Sequence, residues 1–128
     1  MADNSYAACI EACNLCADAC DHCATACLRE DDVKMMAACI RSDMDCAAMC
    51  RLAAGAMARG SEFAHEICAL CAEICSACGA ECARHQHDHC QACAEACRRC
   101  AEECRRMVGL GTTGRSAHAG AASGARAQ

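Results

Sequence analysis

The chain has no proline and no tryptophan, and it holds one tyrosine and one phenylalanine in 128 residues. Without proline nothing interrupts a helix from within. With so few rings, the interior cannot be built on aromatic packing. An excess of positive charge is also missing. The formal net charge is -5, and no basic stripe with interleaved aromatics appears, which excludes a nucleic-acid-binding surface. No apolar run approaches the ~20 residues that span a bilayer. Met1 to Tyr6 lack the basic start, apolar stretch and small-residue ending of a secretory leader, so a cytoplasmic location with reduced thiols is expected. Phosphate-binding loops, dinucleotide-binding glycine motifs and a nucleophile beside a base are not found either, so the chain is read as a non-enzyme with no catalytic residue. Its length suits one domain.

Cysteine is what the chain has in quantity, 19 residues. In a short exported protein that fraction marks a disulfide scaffold. The odd count, the missing leader and the helical patterning oppose that reading. The cysteines recur with alternating steps of four and three: Cys9, Cys13, Cys16, Cys20, Cys23, Cys27; then Cys68, Cys71, Cys75, Cys78, Cys82; then Cys90, Cys93, Cys97, Cys100, Cys104. A thinner series, Cys39, Cys46, Cys50, lies between. A mean step of 3.5 is the heptad signature of one buried helix face. Positions that ordinarily hold Leu, Ile or Val therefore carry sulfur.

These stripes predict four helices, at about Ser5–Leu28, Val33–Ala58, Glu62 to Arg84 or His85, and Asp88–Val108. Asp3 or Ser5 is the expected cap of the first and Asp31 or Asp32 of the second. Gly60 ends the second helix, Ser61 caps the third, and Asp88 with Gln91 forms a capping box for the fourth. Short connections between four helices predict an all-α, antiparallel up-down-up-down four-helix bundle with a cysteine-lined core over residues 1–108. Residues 109–128, Gly-, Ala- and Ser-rich without periodicity, are expected to form a flexible tail.

Most of the cysteines fall into C-x3-C pairs, and residues four apart stack on one helix face. Thiolate–metal bonds of about 2.3 Å set two opposed sulfurs roughly 4.6 Å apart. Such pairs suit a soft ion that accepts linear two-coordination, as Cu(I) does. Charge points the same way. One Cu(I) per thiolate neutralises a buried thiolate core, whereas one Zn(II) per four leaves half the charge unbalanced. Capacity is therefore expected on the order of 10 to 20 Cu(I) per chain. Without metal, protonated cysteines pack as small hydrophobes, so the bundle can fold first and fill later. Cysteine as mere core filler would explain one or two such residues, but not a stripe with almost no Leu in it.

The C-x3-C-x2-C-x3-C ladders at 9–27, 68–82 and 90–104, with a cysteine-poorer second helix, resemble the cysteine-rich four-helix-bundle copper storage proteins, in particular their cytosolic branch. The likeness covers about residues 5 to 108. It implies a homotetramer of bundles, each storing many Cu(I) ions for storage and detoxification, filled through one end that carries non-cysteine ligands. One end collects Cys27, Met35, Met36, Cys39, Cys82, His85, His87, His89 and Cys90. The other collects Tyr6, Cys9, Met57, Phe63, His65 and Met107. Asp43, four after Cys39, takes an inward position where a cysteine would otherwise sit, and His85 continues the stripe three after Cys82. Asp43, His85 and His89 are accordingly the candidate ligands beyond the 19 cysteines. Plainer readings stand beside these: the turn histidines as solvated groups, Asp43 rotated outward with Ser42 nearer the core, and the methionines as apolar plugs.

Three other functions compete. A Zn(II) buffer of metallothionein type would saturate near a quarter of the cysteines. An iron–sulfur redox protein would need the C-x2-C-x2-C-x3-C run followed by Pro, and neither occurs. A thiol-oxidation sink would need exposed thiolates of low pKa.

Overall fold

The computed structural model describes the backbone of residues 4–126 and the side chains of residues 5–109. A short 3-10 turn, Asn4–Tyr6, leads into helix α1, Ala7–Cys27. A second 3-10 turn, Val33–Met36, leads into α2, Ala37–Arg59; α3 spans Ala64–Ala83 and α4 spans Asp88–Arg126. Each helix packs against two neighbours, α1 on α2 and α4, and α3 on α2 and α4, which closes an antiparallel four-helix ring. The predicted fold class is the observed one.

The helix ends follow local chemistry, with corrections. Gly60 closes α2 at φ 68°. The Ser61 N–H reaches the Ala56 carbonyl at 2.9 Å and the Gly60 N–H reaches Met57 at 3.1 Å, a Schellman closure. Ser61 accepts from the Phe63 N–H at 3.0 Å in the turn before α3, but the cap position itself falls on Phe63, without a side-chain cap, so Ser61 is not the cap that was expected. Tyr6, not Ser5, stands at the cap position of α1, and Asp32 at that of the 3-10 turn before α2, and neither makes a side-chain cap. The 3-10 turns supply the tighter i to i+3 bonds that a capped start would not need. Asp3 lies outside the described residues. Gln91 does not complete a capping box either. Its amide donates to the carbonyls of His85 at 2.6 Å and Ala83 at 3.3 Å, tying down the end of α3.

Helix α4 continues past the expected end near Val108 to Arg126; the segment contains no proline to stop it. The side chains beyond Gly109, where the flexible tail was placed, lie outside the described residues.

Gly60 is in the left-handed region with open space around a would-be Cβ, so only its backbone conformation opposes a side chain. Gly60→Ala should lower the stability of the metal-free bundle by about 1 kcal/mol, read as a lower urea midpoint with unchanged slope. An unchanged midpoint would show that the turn is not held at positive φ.

All 19 cysteines are buried. The rest of the core is Ala with Met36, Met49, Met57 and Met107. Because these side chains are small, the helices sit close. A Cβ on Gly79 would lie 3.2 Å from the Cys97 Cβ and 3.5 Å from the Ala94 carbonyl. The missing side chain lets α3 approach α4 and brings their sulfurs within reach of one another.

Candidate metal centre

Side-chain direction on these helices places every cysteine stripe on the bundle axis. The sulfurs then meet both along and across helices. Along one helix, Cys23 and Cys27 lie 3.9 Å apart, Cys71 and Cys75 3.8 Å, and Cys93 and Cys97 3.9 Å. Across helices the separations are as short or shorter: Cys46 to Cys75 3.5 Å, Cys39 to Cys82 3.5 Å, and Cys16 to Cys97 3.7 Å. The C-x3-C pair is thus half of the arrangement, and the sulfurs gather in fours drawn from several helices. Cys13, Cys71, Cys100 and Cys104 form one such group, and Cys16, Cys46, Cys50 and Cys75 another. Further along the axis come Cys16, Cys20, Cys46 and Cys97, then Cys20, Cys78, Cys93 and Cys97, then Cys23, Cys27, Cys39 and Cys90. In each group the ligand atoms lie within 4.8 Å of one another. Cys9 joins at the far end, its thiol 3.7 Å from Cys104.

The three middle groups share members, Cys16 and Cys46 joining two of them and Cys20 and Cys97 the next; Cys50, 3.9 Å from Cys71, links them to the first group, and Asp43, in contact with Cys39, Cys78 and Cys93, to the last. Shared sulfurs are bridging ligands in waiting, and they make one continuous column of donors. Periodicity along a single helix foretold the stripe, but only the packing of four helices could show the column.

Asp43 is fully buried among these thiols, with 0% exposure. Its Oδ1 accepts from Cys93 at 3.2 Å and from Cys78 and Cys82 at 3.3 Å, and Oδ2 lies 3.8 Å from Cys39. The outward rotation that would have left Ser42 inside does not occur. Burial first, then the neighbouring Cys23 sulfur, pushes the Asp43 carboxyl up to about 9. Burial likewise pushes the Cys27 thiol up to about 11 and raises Cys39 and Cys90. Asp43, Cys27, Cys39 and Cys90 therefore keep their protons in the metal-free mouth, whereas contacts to Cys82 and Cys93 shift the Cys23 thiol downward; a cation that binds there must displace the protons that remain.

His89 is the second non-cysteine donor that the fold brings to the column. Its Nδ1 lies 3.6 Å from both Cys23 and Cys90 and 3.9 Å from Cys27. Burial lowers its pKa, but contacts to the Cys23 sulfur and the Glu30 carboxylate outweigh it and shift the imidazole upward. His85 is placed differently. Its Nε2 meets Glu81 Oε2 at 2.9 Å, one turn back on α3, and not a thiol. His87 lies over His89, ring centroids 5.2 Å apart and planes 6° from parallel.

The methionines also sort by structure. The heptad through Cys39, Asp43, Cys46 and Cys50 extends back to Met35 as its inward position, yet Met36 is 1% exposed and Met35 is 75% exposed. The reason is the 3-10 turn over Val33–Met36. Its three-residue repeat puts Met36, three before Cys39, on the inner face, where an α-helix would have put Met35. Met57 and Met107 are buried at the opposite end of the column and close it with apolar bulk. Sequence reasoning missed Glu30, whose carboxylate meets His89 at 2.7 Å. It stands in the Arg29–Asp32 run, which reads only as a polar turn.

Comparison with known proteins agrees with this architecture. Residues 2–109 match the family model described as copper storage protein. The Cu(I)-bound copper storage protein BsCsp3 of Bacillus subtilis superposes with a TM-score of 0.80 at 56% identity, over 82% of this chain and 99% of that one. A cytosolic copper storage protein from Streptomyces lividans, in a structure with five coppers, superposes with a TM-score of 0.80 at 44% identity, over 82% and 92% of the two chains. The cysteine-rich protein YhjQ of Bacillus subtilis strain 168 is 59% identical over 78 residues, 61% of this chain and 72% of its own length. With a thiol column inside a four-helix bundle and a family match spanning nearly all of that bundle, the chain belongs to the copper storage protein family.

Proposed function

We propose that this chain is a cytoplasmic Cu(I) store for copper storage and detoxification, and not an enzyme. The observation that carries the reading is the column of overlapping four-thiolate groups. Zn(II) wants four ligands of its own in a tetrahedron. Sulfurs shared between neighbouring groups suit an ion that accepts low coordination and bridging thiolates, which is Cu(I). One Cu(I) for each thiolate also cancels the charge of a core that, among the described residues, buries no cationic side chain. The two solved relatives are described as Cu(I)-bound and copper-loaded, and one of them as cytosolic.

The ligands in this reading are the 19 cysteines, with Asp43, His89 and His85 supplementing them at the mouth. Asp43 and His89 are supported by their contacts to thiols. His85 rests on the resemblance and on its place beside the same opening. Residues 109–128 form a segment outside the store. Assembly as a homotetramer rests on the resemblance to the family.

An anaerobic titration of the reduced protein in competition with a chromophoric Cu(I) chelator tests the function. The chelator should stay colourless until on the order of 10 or more Cu(I) per chain are bound. Early colour, together with tight Zn(II) saturation near five per chain, would make the protein a zinc buffer.

A further inference from the structure

The His89 imidazole touches two environments at once. Nδ1 faces the sulfurs of Cys23, Cys27 and Cys90, while Nε2 lies 2.7 Å from Glu30 Oε2. Glu30 comes from the turn after α1, and His89 from the first turn of α4. Their contact therefore spans the mouth. A carboxylate can only accept, so the ring must donate its Nε2–H to Glu30. That leaves Nδ1 as the atom whose lone pair becomes available, pointed at three thiols.

Glu30 is itself held in place. His87 Nδ1 lies 3.5 Å from the same Oε2, and His87 Nε2 lies 3.5 Å from Asp32 Oδ1. The stacked His87 ring covers the outer face of His89. A free histidine turns about its side-chain bonds and exchanges between two tautomers. Here both freedoms are removed by groups that touch no thiol.

We propose that Glu30 is a positioning residue for copper uptake: it fixes the His89 ring and tautomer so that Nδ1 receives incoming Cu(I) and passes it to Cys23, Cys27 and Cys90. This rests on the reading of His89 as a copper ligand. Metal-binding histidines are commonly oriented by a carboxylate on the second ring nitrogen, and loss of that partner costs about 10- to 100-fold in metal affinity or activity. Uptake through His89 should suffer similarly, while the thiol column behind it keeps its capacity.

The test follows the rate of Cu(I) transfer from a chelator complex into the reduced full-length protein, for wild type, Glu30→Ala, Glu30→Gln, His89→Ala and Glu30→Ala/His89→Ala. Glu30→Ala should slow uptake by about tenfold with unchanged final stoichiometry, and Glu30→Ala/His89→Ala should be no slower than His89→Ala. Glu30→Gln, which keeps an acceptor oxygen, should recover part of the rate. Long-range 1H–15N spectra of 15N-histidine-labelled metal-free protein should show His89 with its proton on Nε2 in wild type and a tautomer mixture in Glu30→Ala. If His89→Ala fills as fast as wild type, His89 is not a ligand on the path and both readings fall. If His89→Ala is slow but Glu30→Ala is not, the Glu30 inference alone is overturned. It is also overturned if Glu30→Ala slows uptake equally in the His89→Ala background, or if wild-type His89 carries its proton on Nδ1, an observation that needs no variant.

Discussion

Filling the reduced protein with Cu(I) should raise its thermal unfolding midpoint by about 10 °C or more, and a stronger Cu(I) chelator should return it to the metal-free value. The metal-free core is cysteine, alanine and a few methionines. Such small side chains bury little apolar area each, so that core is only modestly stabilised. Each four-thiolate group draws on two or more helices; Cys16, Cys46, Cys50 and Cys75 come from α1, α2 and α3. An ion held there ties those helices together only when the bundle is folded. A single ion at 100 times its dissociation constant contributes about 2.7 kcal/mol. In a domain of this size that moves the midpoint by about 10 °C. Unfolded thiols also bind copper, which trims the effect, but an open chain cannot present a preformed column. Differential scanning calorimetry of metal-free, loaded and chelator-stripped protein checks this. A midpoint that stays put or drops on loading would mean that the ions bind thiols without the bundle.

The second large effect concerns Asp43 in the metal-free protein. Its folded pKa, raised to about 9 chiefly by burial, lies above the ordinary 3.8. Between those values the folded carboxyl keeps a proton that the unfolded one has lost. Stability from this group is therefore fully present below about pH 4 and is lost as pH rises toward 9. From pH 5 to pH 7.5 the loss should approach about 3 kcal/mol, the slope for one proton held only by the folded state. Urea denaturation of the reduced, metal-free protein should show this fall in wild type. Asp43→Asn, which keeps the shape and cannot ionise, should remove most of it. His89, whose pKa is also raised, adds a slope of the same sign, and Cys23, whose pKa is lowered, one of the opposite sign, so the difference between wild type and Asp43→Asn isolates Asp43. Equal slopes in the two proteins would show that Asp43 is ionised in the folded, metal-free state.

Asp43 also illustrates how far residue order carries. Its place four after Cys39 put it on the inner face, and the buried carboxylate among Cys39, Cys78, Cys82 and Cys93 agrees. His85 shows the opposite case. Its spacing from Cys82 is right for the stripe, yet the last turn of α3 leaves it beside Glu81. Helix-end residues escape strict periodicity because the backbone there is no longer held on both sides. Met35 and Met36 exchanged roles for a similar reason, a 3-10 turn in place of an α-turn.

What the sequence by itself determined is the class of fold and the chemistry. A cysteine every 3.5 residues on a proline-free chain admits little besides helices with a sulfur face, and a sulfur core calls for a soft cation. What only the tertiary structure decided is which sulfurs stand together and what guards the opening. The four-thiolate groups join residues as far apart as Cys13 and Cys104, and Glu30 meets His89 across 59 positions. Periodicity is a property of one helix, whereas a metal group or a mouth is made by several. The rotation and closeness of neighbouring helices, set by residues such as Gly79 against Cys97, have no signature in the order of residues along any single one.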